Sequence, residues 1–392
     1  MLSSTFIQTK LHAPPLRSGC LQRHDLLARL DEGLKPGVRL ILVSAPAGFG
    51  KSTLLSSWVS HLNKPLAWLS LDAEDNDVPR FLTYLIGALQ SIQPSIGEEA
   101  LGLLKAGPGI SAAAVVTSLV NDLARLPGPY ILVLDDFQVI TSPAVGQALA
   151  YWLEHLPESM RLVIASRADP LLPLPRLRAG GQMLELRADD LRFSLDEAAD
   201  FLGRFMQVEL SFEDLAVLEA RTEGWAAGLQ MAGLSLRGRQ DGSAFIRAFS
   251  GSNRYILDYL TEEVFNRSSE QIRLFLLHTS ITDRFCPALC EALAGDEIKP
   301  LTVQTMLAEL EQANLFLIPL DEDGLWYRYH HLMLDLLRMR LMQIEPAKQA
   351  ALHRRAAHWF KARLDEKWDS SLASEAIRHA LAGGDVALAE MV

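Results

Sequence analysis

Apolar residues follow two rhythms along this chain, and the change falls near residue 190. Before it, short unbroken apolar runs alternate with helical patterns. The runs 39–44 (RLILVS), 65–71 (PLAWLSL), 130–134 (YILVL) and 161–165 (RLVIA) read as strands, with 183–186 the last candidate. Helical periodicity predicts helices over 26–34, 51–61, 81–92, 111–126 and 144–156. Strands that are apolar at every position must be covered on both faces. Helices between successive strands supply that cover and return the chain for parallel pairing. The expectation is an α/β fold with a parallel sheet flanked by helices.

After residue 190 only helices are predicted for a long stretch. Ser194 and Glu197 stand in capping-box spacing at the start of one. Helices over 212–221, 224–236, 256–265 and 268–278 follow, the last capped by Ser268 or Ser269. Near residue 300 the style changes again. A helix over 301–313 precedes apolar stretches 315–320 and 325–329, which flank the turn sequence 321–324 (DEDG); a helix over 331–341 closes the group. Helices, a hairpin and a closing helix describe a winged helix. Ala-rich helices over 347–361 and 374–382, then a turn at Gly383 and Gly384, suit the start of a helical repeat. The chain ends inside a further helix, 386–392, so the natural protein is expected to continue; a frayed natural end is the alternative. The expected organisation is 1–190 nucleotide-binding domain, 191–252 helical domain, 253–345 winged helix and 346–392 truncated helical repeat.

Composition narrows the class. A length of 392 residues calls for two or three domains, and 49% hydrophobic with 22% charged residues is the balance of a folded soluble protein. The net charge of −11 argues against a nucleic-acid surface over the whole chain, because phosphate backbones need clustered Lys and Arg. The three cysteines, Cys20, Cys286 and Cys290, indicate no disulfide framework. Cys286 and Cys290, four apart, would share a helix face and either bind metal, sense oxidants or pack in the core; no further ligand stands in suitable spacing, which favours packing. The first ten residues lack a signal-peptide pattern and no stretch reaches the ~20 apolar residues of a membrane span. The chain reads as cytoplasmic, without a membrane partner.

The chemistry concentrates at the ends of the strands. Residues 45–53 (APAGFGKST) follow a buried strand and open a helix, the setting of a P-loop. Gly48 and Gly50 let the backbone curl so that the N–H groups of Ala47 to Gly50, Phe49 included, point at phosphate oxygens. The helix adds its positive N-terminal end. Lys51 supplies an ammonium to the β and γ phosphates, Ser52 a hydroxyl to Mg²⁺, and Thr53 supports the α-phosphate side. Ala45 replaces the usual first glycine, at little cost for a strand exit. A second buried strand ends in Asp135 and Asp136 and is expected beside the P-loop strand. Asp135 would hold the magnesium shell and Asp136 polarise an attacking water, or merely cap a turn. Arg167, at the next strand's end, would sense the γ-phosphate or form a surface ion pair.

These motifs, in this order, resemble the STAND class of signalling ATPases, and more narrowly the MalT-type, ATP-dependent LuxR-family transcriptional regulators. The resemblance covers essentially the whole chain. It is carried by 9–15 (TKLHAPP) with 21–23 (LQR), 45–53, 68–72 (WLSLD), 135–137 (DDF), 165–167 (ASR), 191–193 (LRF), 222–230 (TEGWAAGLQ) and 327–332 (YRYHHL). It implies a switch: ADP holds a closed monomer, while ATP and an inducer open it and drive self-association. It further implies an inducer-sensing helical repeat after position 350 and a C-terminal helix-turn-helix for promoter DNA, the latter absent from this chain. Residue by residue, Arg23 matches the segment near the adenine, and His330 the winged-helix histidine at the ADP β-phosphate. His330 could equally be a core histidine, and His331 is the less apt of the pair. Trp225 stands where related proteins carry a proline and reads as a nucleotide contact or as core.

The winged helix itself reads as a protein-binding and nucleotide-clamping module. Its presumed second helix carries Glu309 and Glu311 and no cation, and its turn carries Asp321, Glu322 and Asp323. The expected function is an ATP/ADP switch with slow ATPase activity as its reset. The alternatives are a metabolic P-loop kinase or transferase acting on a small molecule, disfavoured by the long helical appendage, and an adaptor with an inactive P-loop, disfavoured by intact Lys51, Ser52 and Asp135.

Overall fold

A computed structural model describes residues 6–16, 21–62, 64–106, 111–237, 239, 241–251, 253–295, 300–321, 325–366 and 368–392. Cys20 and the turn residues 322–324 lie outside the described residues. Two compact units result, one ending at Arg192 and one beginning at Phe193.

The first unit is built on strands β1 (Leu40–Ser44), β2 (Leu66–Ser70), β3 (Tyr130–Asp135), β4 (Met160–Ser166) and β5 (Met183–Leu186). All pair in parallel, in the order β2-β3-β4-β1-β5. β1, β3 and β4 are buried at every position, as their unbroken apolar runs demand. The helices are α1 (His24–Glu32), α2 (Lys51–His61), α3 (Val78–Leu89), α4 (Glu98–Lys105), α5 (Ala112–Ala124), α6 (Pro143–Glu154), α7 (Leu174–Ala179) and α8 (Ala188–Leu191). One sheet face, through Leu42, Leu69, Leu132 and Ile164, packs with Phe81 and Leu85 of α3, Leu119 of α5 and Trp152 of α6. On the other face Ile41 meets the end of α1 so closely that a Cβ on Gly33 would stand 2.5 Å from its Cδ1. Trp58 of α2 donates its Nε1–H to Asp31 of α1 at 2.9 Å, joining the two helices.

The expectation that the Asp135 strand neighbours the P-loop strand is corrected: β4 lies between β3 and β1. Three strands that are buried on both faces carry no periodic mark of their order, so pairing was not legible in them. The consequence for chemistry is small. Parallel strands deliver all their C-terminal ends to one edge, and two strand spacings come to only about 10 Å.

The second unit contains α9 (Leu195–Asp200), α10 (Phe212–Thr222), α11 (Ala226–Leu236), α12 (Gly242–Ala248), α13 (Arg254–Leu260), α14 (Glu270–Thr279), α15 (Pro287–Ala294) and α16 (Pro300–Gln312). Then come the antiparallel pair β6 (Leu317–Pro319) and β7 (Tyr327–Tyr329), α17 (His331–Ile344), α18 (Pro346–Glu366), α19 (Ser370–Ala382) and α20 (Val386–Glu390). Ser194 and Glu197 form the capping box that opens α9. Glu223 (φ 50°) and Gly224 (φ 68°) break the chain between α10 and α11, so α11 begins at Ala226 rather than 224. The helix expected over 256–265 is α13 followed by a π-helical turn, Thr261–Phe265. Cys286 and Cys290 do not share a helix face. Cys286 is extended at the N-cap of α15 and only the buried Cys290 lies within the helix, because Pro287 takes the first helical position. No helix among the described residues is long and apolar enough to cross a membrane.

Candidate nucleotide-binding site

The P-loop runs from the end of β1 into α2. Gly48 and Gly50 both hold φ 78°, which favours glycine, and a Cβ on Gly50 would meet nothing within 4 Å, so the loop leaves open space there. Ala47, Gly48, Gly50, Lys51, Ser52, Thr53, Asp136 and Arg167 line one cleft of ≈ 160 Å³. Phe49 is buried and anchors the loop between the two glycines.

Lys51 curls back over the loop. Its Nζ donates to the carbonyls of Ala45 at 2.6 Å and Pro46 at 2.9 Å. Burial pulls its pKa down to about 8 and the Arg167 charge adds to the fall; the Asp136 and Asp135 carboxylates oppose it. Ser52 Oγ donates to Asp135 Oδ1 at 2.9 Å, although β4 separates their strands. Burial pushes the Asp135 carboxyl up to about 6 and the neighbouring Asp136 charge pushes further; the Ser52 hydroxyl, the Asp136 N–H and Lys51 hold it down. A buried ammonium with a lowered pKa and a buried carboxylate with a raised one are both short of opposite charge. A phosphate chain and a hard cation would supply it. The donor set fits magnesium, which takes one or two protein groups and completes its shell with phosphate oxygens and water.

Asp136 is exposed and left-handed, with φ 56°. Its carboxylate accepts from Gln138 Nε2 at 2.9 Å, and Gln138 Oε1 accepts the N–H of Arg167 at 3.0 Å. A second network braces the loop's entry. Asp169 accepts from Ser44 Oγ at 3.2 Å and from both guanidinium ends of Arg187, one of them at 3.1 Å. Gln138, Asp169 and Arg187 escaped the sequence reading. Their signal was position alone: each follows a strand at the edge where α/β sheets place their sites.

Two further expected site residues make contacts of their own. Arg23 is absent from the cleft lining; its guanidinium donates to the carbonyls of Leu191 at 2.7 Å and Arg192 at 2.6 Å, the last residues of the first unit. His330 belongs to the second unit, is 1% exposed and caps α17. Its Nδ1 accepts from Leu332 N–H at 3.3 Å, which leaves Nε2 as the protonated nitrogen, donating to the Thr222 carbonyl at 2.9 Å. Trp225 is fully buried with its ring 5.9 Å from that of His330. Beside them Arg328 grips Glu223 with two bonds of 2.8 Å, and His331 N–H donates to the same carboxylate at 3.1 Å. The segments 222–230 and 327–332, about a hundred residues apart, are therefore one interlocked constellation. Burial would raise the Glu223 carboxyl, yet the Arg328 bond, His330 and the His331 N–H bring it down to about 2.

A parallel sheet whose edge carries a glycine-bent loop, a buried lysine, a serine–aspartate pair and a second carboxylate defines a P-loop NTPase. Comparison with known proteins narrows this. Residues 21–165 match the AAA ATPase domain family and residues 261–349 the MalT winged helix domain. The chain is similar to the serine/threonine-protein kinase PknK of Mycobacterium tuberculosis, 35% identical over 367 residues, which is 92% of this chain and 32% of that protein. It is also similar to the HTH-type transcriptional regulator MalT of Klebsiella pneumoniae, 34% identical over 382 residues, 97% of this chain and 41% of that protein. It thus spans about a third to about two fifths of the length of these relatives. A solved Walker-type ATPase of Pyrococcus abyssi shares the fold, with TM-score 0.58, 17% identity, and coverage of 83% of this chain and 98% of that one. The chain carries a P-loop ATPase domain and a winged-helix domain of the MalT type.

Proposed function

We propose that this chain is the nucleotide-driven switch of a larger regulator. It binds ATP or ADP with magnesium, hydrolyses ATP slowly, and uses the difference between the two nucleotides to set its self-association. The observation that carries the reading is the convergence of Lys51, Ser52, Asp136 and Arg167 on one cleft, with Asp135 bonded to Ser52.

Each side chain then has a task. Lys51 exchanges two neutral carbonyls for the β and γ phosphate oxygens, a charge-assisted and stronger partner. Ser52 and Asp135 would hold Mg²⁺, which would supply positive charge to the phosphates. Asp136 orients a water and accepts its proton as the new oxygen–phosphorus bond forms and the bond to the β-phosphate oxygen breaks, leaving ADP and phosphate. Arg167 favours the ATP state through the γ-phosphate. His330 is carried over from the family as the group that favours ADP; to take a phosphate oxygen its Nε2–H must give up the Thr222 carbonyl. Differential contacts of this kind are what let a ligand shift an equilibrium between two arrangements. Arg23, by its bonds, serves the exit of the first unit more directly than the base.

Inducer sensing through further helical repeats, and promoter binding through a helix-turn-helix, are properties we assign to the longer protein by likeness to the regulator MalT. Near-equal similarity to a protein kinase supports a second reading of the output, in which the same switch governs a kinase. Denaturing the purified chain and identifying the released nucleotide tests the core of the proposal. ADP should be released, ATP turnover should run below about 1 s⁻¹, and Asp136→Asn should bind ATP while losing roughly 100-fold or more of that turnover. A chain that binds no nucleotide, or whose Asp136→Asn variant turns over normally, refutes it.

A further inference from the structure

Gln138 lies in the short 3₁₀ turn Phe137–Val139 that follows β3, two residues beyond Asp136. Both ends of its side-chain amide are engaged, each with the polarity its partner needs. Nε2–H donates to Asp136 Oδ1 at 2.9 Å, and Oε1 accepts the Arg167 N–H at 3.0 Å. A side-chain amide carries a donor nitrogen and an acceptor oxygen on one carbon, without charge. A carboxylate of the same length keeps the Arg167 bond but faces Asp136 with a like charge.

What Gln138 holds matters more than the bonds themselves. Asp136 is exposed, so its carboxylate has little packing to fix its rotamer. Its Oδ2 accepts no hydrogen bond from the described residues, while Oδ1 is held by Gln138. One oxygen oriented and the other open is the arrangement a general base needs. The contacts also form a continuous path along the cleft rim. Ser52 Oγ and the Asp136 N–H both donate to Asp135 Oδ1, the Asp136 carboxylate accepts from Gln138, and Gln138 accepts from the main chain of Arg167, the residue after β4. Those residues stand on α2, on the β3 end and on the β4 end, the three elements whose termini frame the phosphates.

We propose that Gln138 is a positioning residue for ATP hydrolysis: it fixes the Asp136 carboxylate and couples its placement to the main chain of Arg167. The inference rests on the reading of Asp136 as the base. Under it, a shift of Arg167 on meeting a γ-phosphate is passed to the base through a single amide. This makes the water-orienting geometry depend on which nucleotide is bound. A plain staple between the ends of β3 and β4 would use the same two bonds but would act on folding and binding, not on the proton transfer.

The test is single-turnover hydrolysis by the 392-residue chain with Mg²⁺ and radiolabelled ATP, with nucleotide affinity measured in parallel. Gln138→Ala and the shorter Gln138→Asn should keep the ATP dissociation constant within about twofold and lose roughly tenfold in rate, the lower range for an orienting partner. Gln138→Glu should lose rate at least as much, because it keeps the acceptor for the Arg167 N–H but replaces the donor to Asp136 with a like charge. Parental rates in these variants, or rate losses matched by equal losses of ATP affinity, overturn the inference. Asp136→Asn serves as the reference. Were it to turn over normally, the reading of the base fails and this inference with it. Were it inactive while the Gln138 variants behave as the parent, only the positioning role falls.

Discussion

In the nucleotide-free chain Lys51 holds its proton weakly, and this makes nucleotide affinity depend on pH in a way that can be worked out. The side chain is 8% exposed and its ammonium rests on two carbonyls, with the pKa pulled from 10.5 to about 8 by burial and by Arg167. A bound phosphate chain favours the ammonium and returns the pKa to its ordinary range near 10.5 or above. Binding below pH 8 then meets a lysine that is already charged. Above pH 8 the lysine must first take up a proton. Between pH 7.5 and 9.5 the protonated fraction of the free chain falls from about three quarters to about 3%, while that of the complex stays above ~90%. Affinity should therefore fall about 20-fold over this window, or about 1.8 kcal/mol. The window starts above the last ionisation of the nucleotide phosphate, near pH 6, so the ligand's charge is constant. Isothermal titration calorimetry with Mg-ADP in two buffers of different ionisation enthalpy measures both the affinity and the proton count. Near pH 8 about half a proton should be taken up for each nucleotide bound. An affinity flat within twofold from pH 7.5 to 9.5, with no proton uptake, would refute the argument that Lys51 is the phosphate ligand.

Two further predictions concern the second unit. Glu223 carries a carboxyl held near 2 by Arg328 and the His331 N–H, so its contribution to stability is fully present above the unfolded value near 4.3 and is lost as pH falls towards 2. Glu223→Gln should cost about 2–3 kcal/mol at pH 7; urea melts at pH 7 and pH 3 check it, and a difference between variant and parent that does not shrink at pH 3 counts against the assignment. His330→Asn keeps an acceptor at the N-cap of α17 but withdraws the reach to the Thr222 carbonyl. It should speed ADP release and raise self-association while the chain stays folded; a folded monomer with parental ADP retention removes His330 from the nucleotide.

Much of the candidate site was written in local sequence because its parts are local. A P-loop is one strand end, nine residues and one helix start, and glycines at 48 and 50 state the backbone curl that both adopt at φ 78°. Asp135 and Asp136 were visible because a buried strand rarely ends in two carboxylates. The short helices α4, α7, α8, α12 and α15 were less legible, since few turns give periodicity little room to register. The π-helical turns at Thr261–Phe265 and Phe201–Phe205 shift the helical register and leave no compositional mark. His330 read as phosphate ligand or core residue alike, and only its two bonded ring nitrogens describe its present place.

By itself, then, the sequence determined the alternation of buried strands and helices, the phosphate loop and the two carboxylates, because each is a property of a few consecutive residues and their neighbours in the chain. The order of the strands was decided only in three dimensions: β4 pairs with both β3 and β1, a choice made by packing among strands that are equally apolar. The same holds for the bond from Ser52 to Asp135 across 83 residues, for the bridge from Gln138 to Arg167, and for the grip of Arg328 on Glu223 across 105. Those pairs meet because the fold carries distant strand and helix ends to common edges, and no periodicity along a chain encodes which ends will meet.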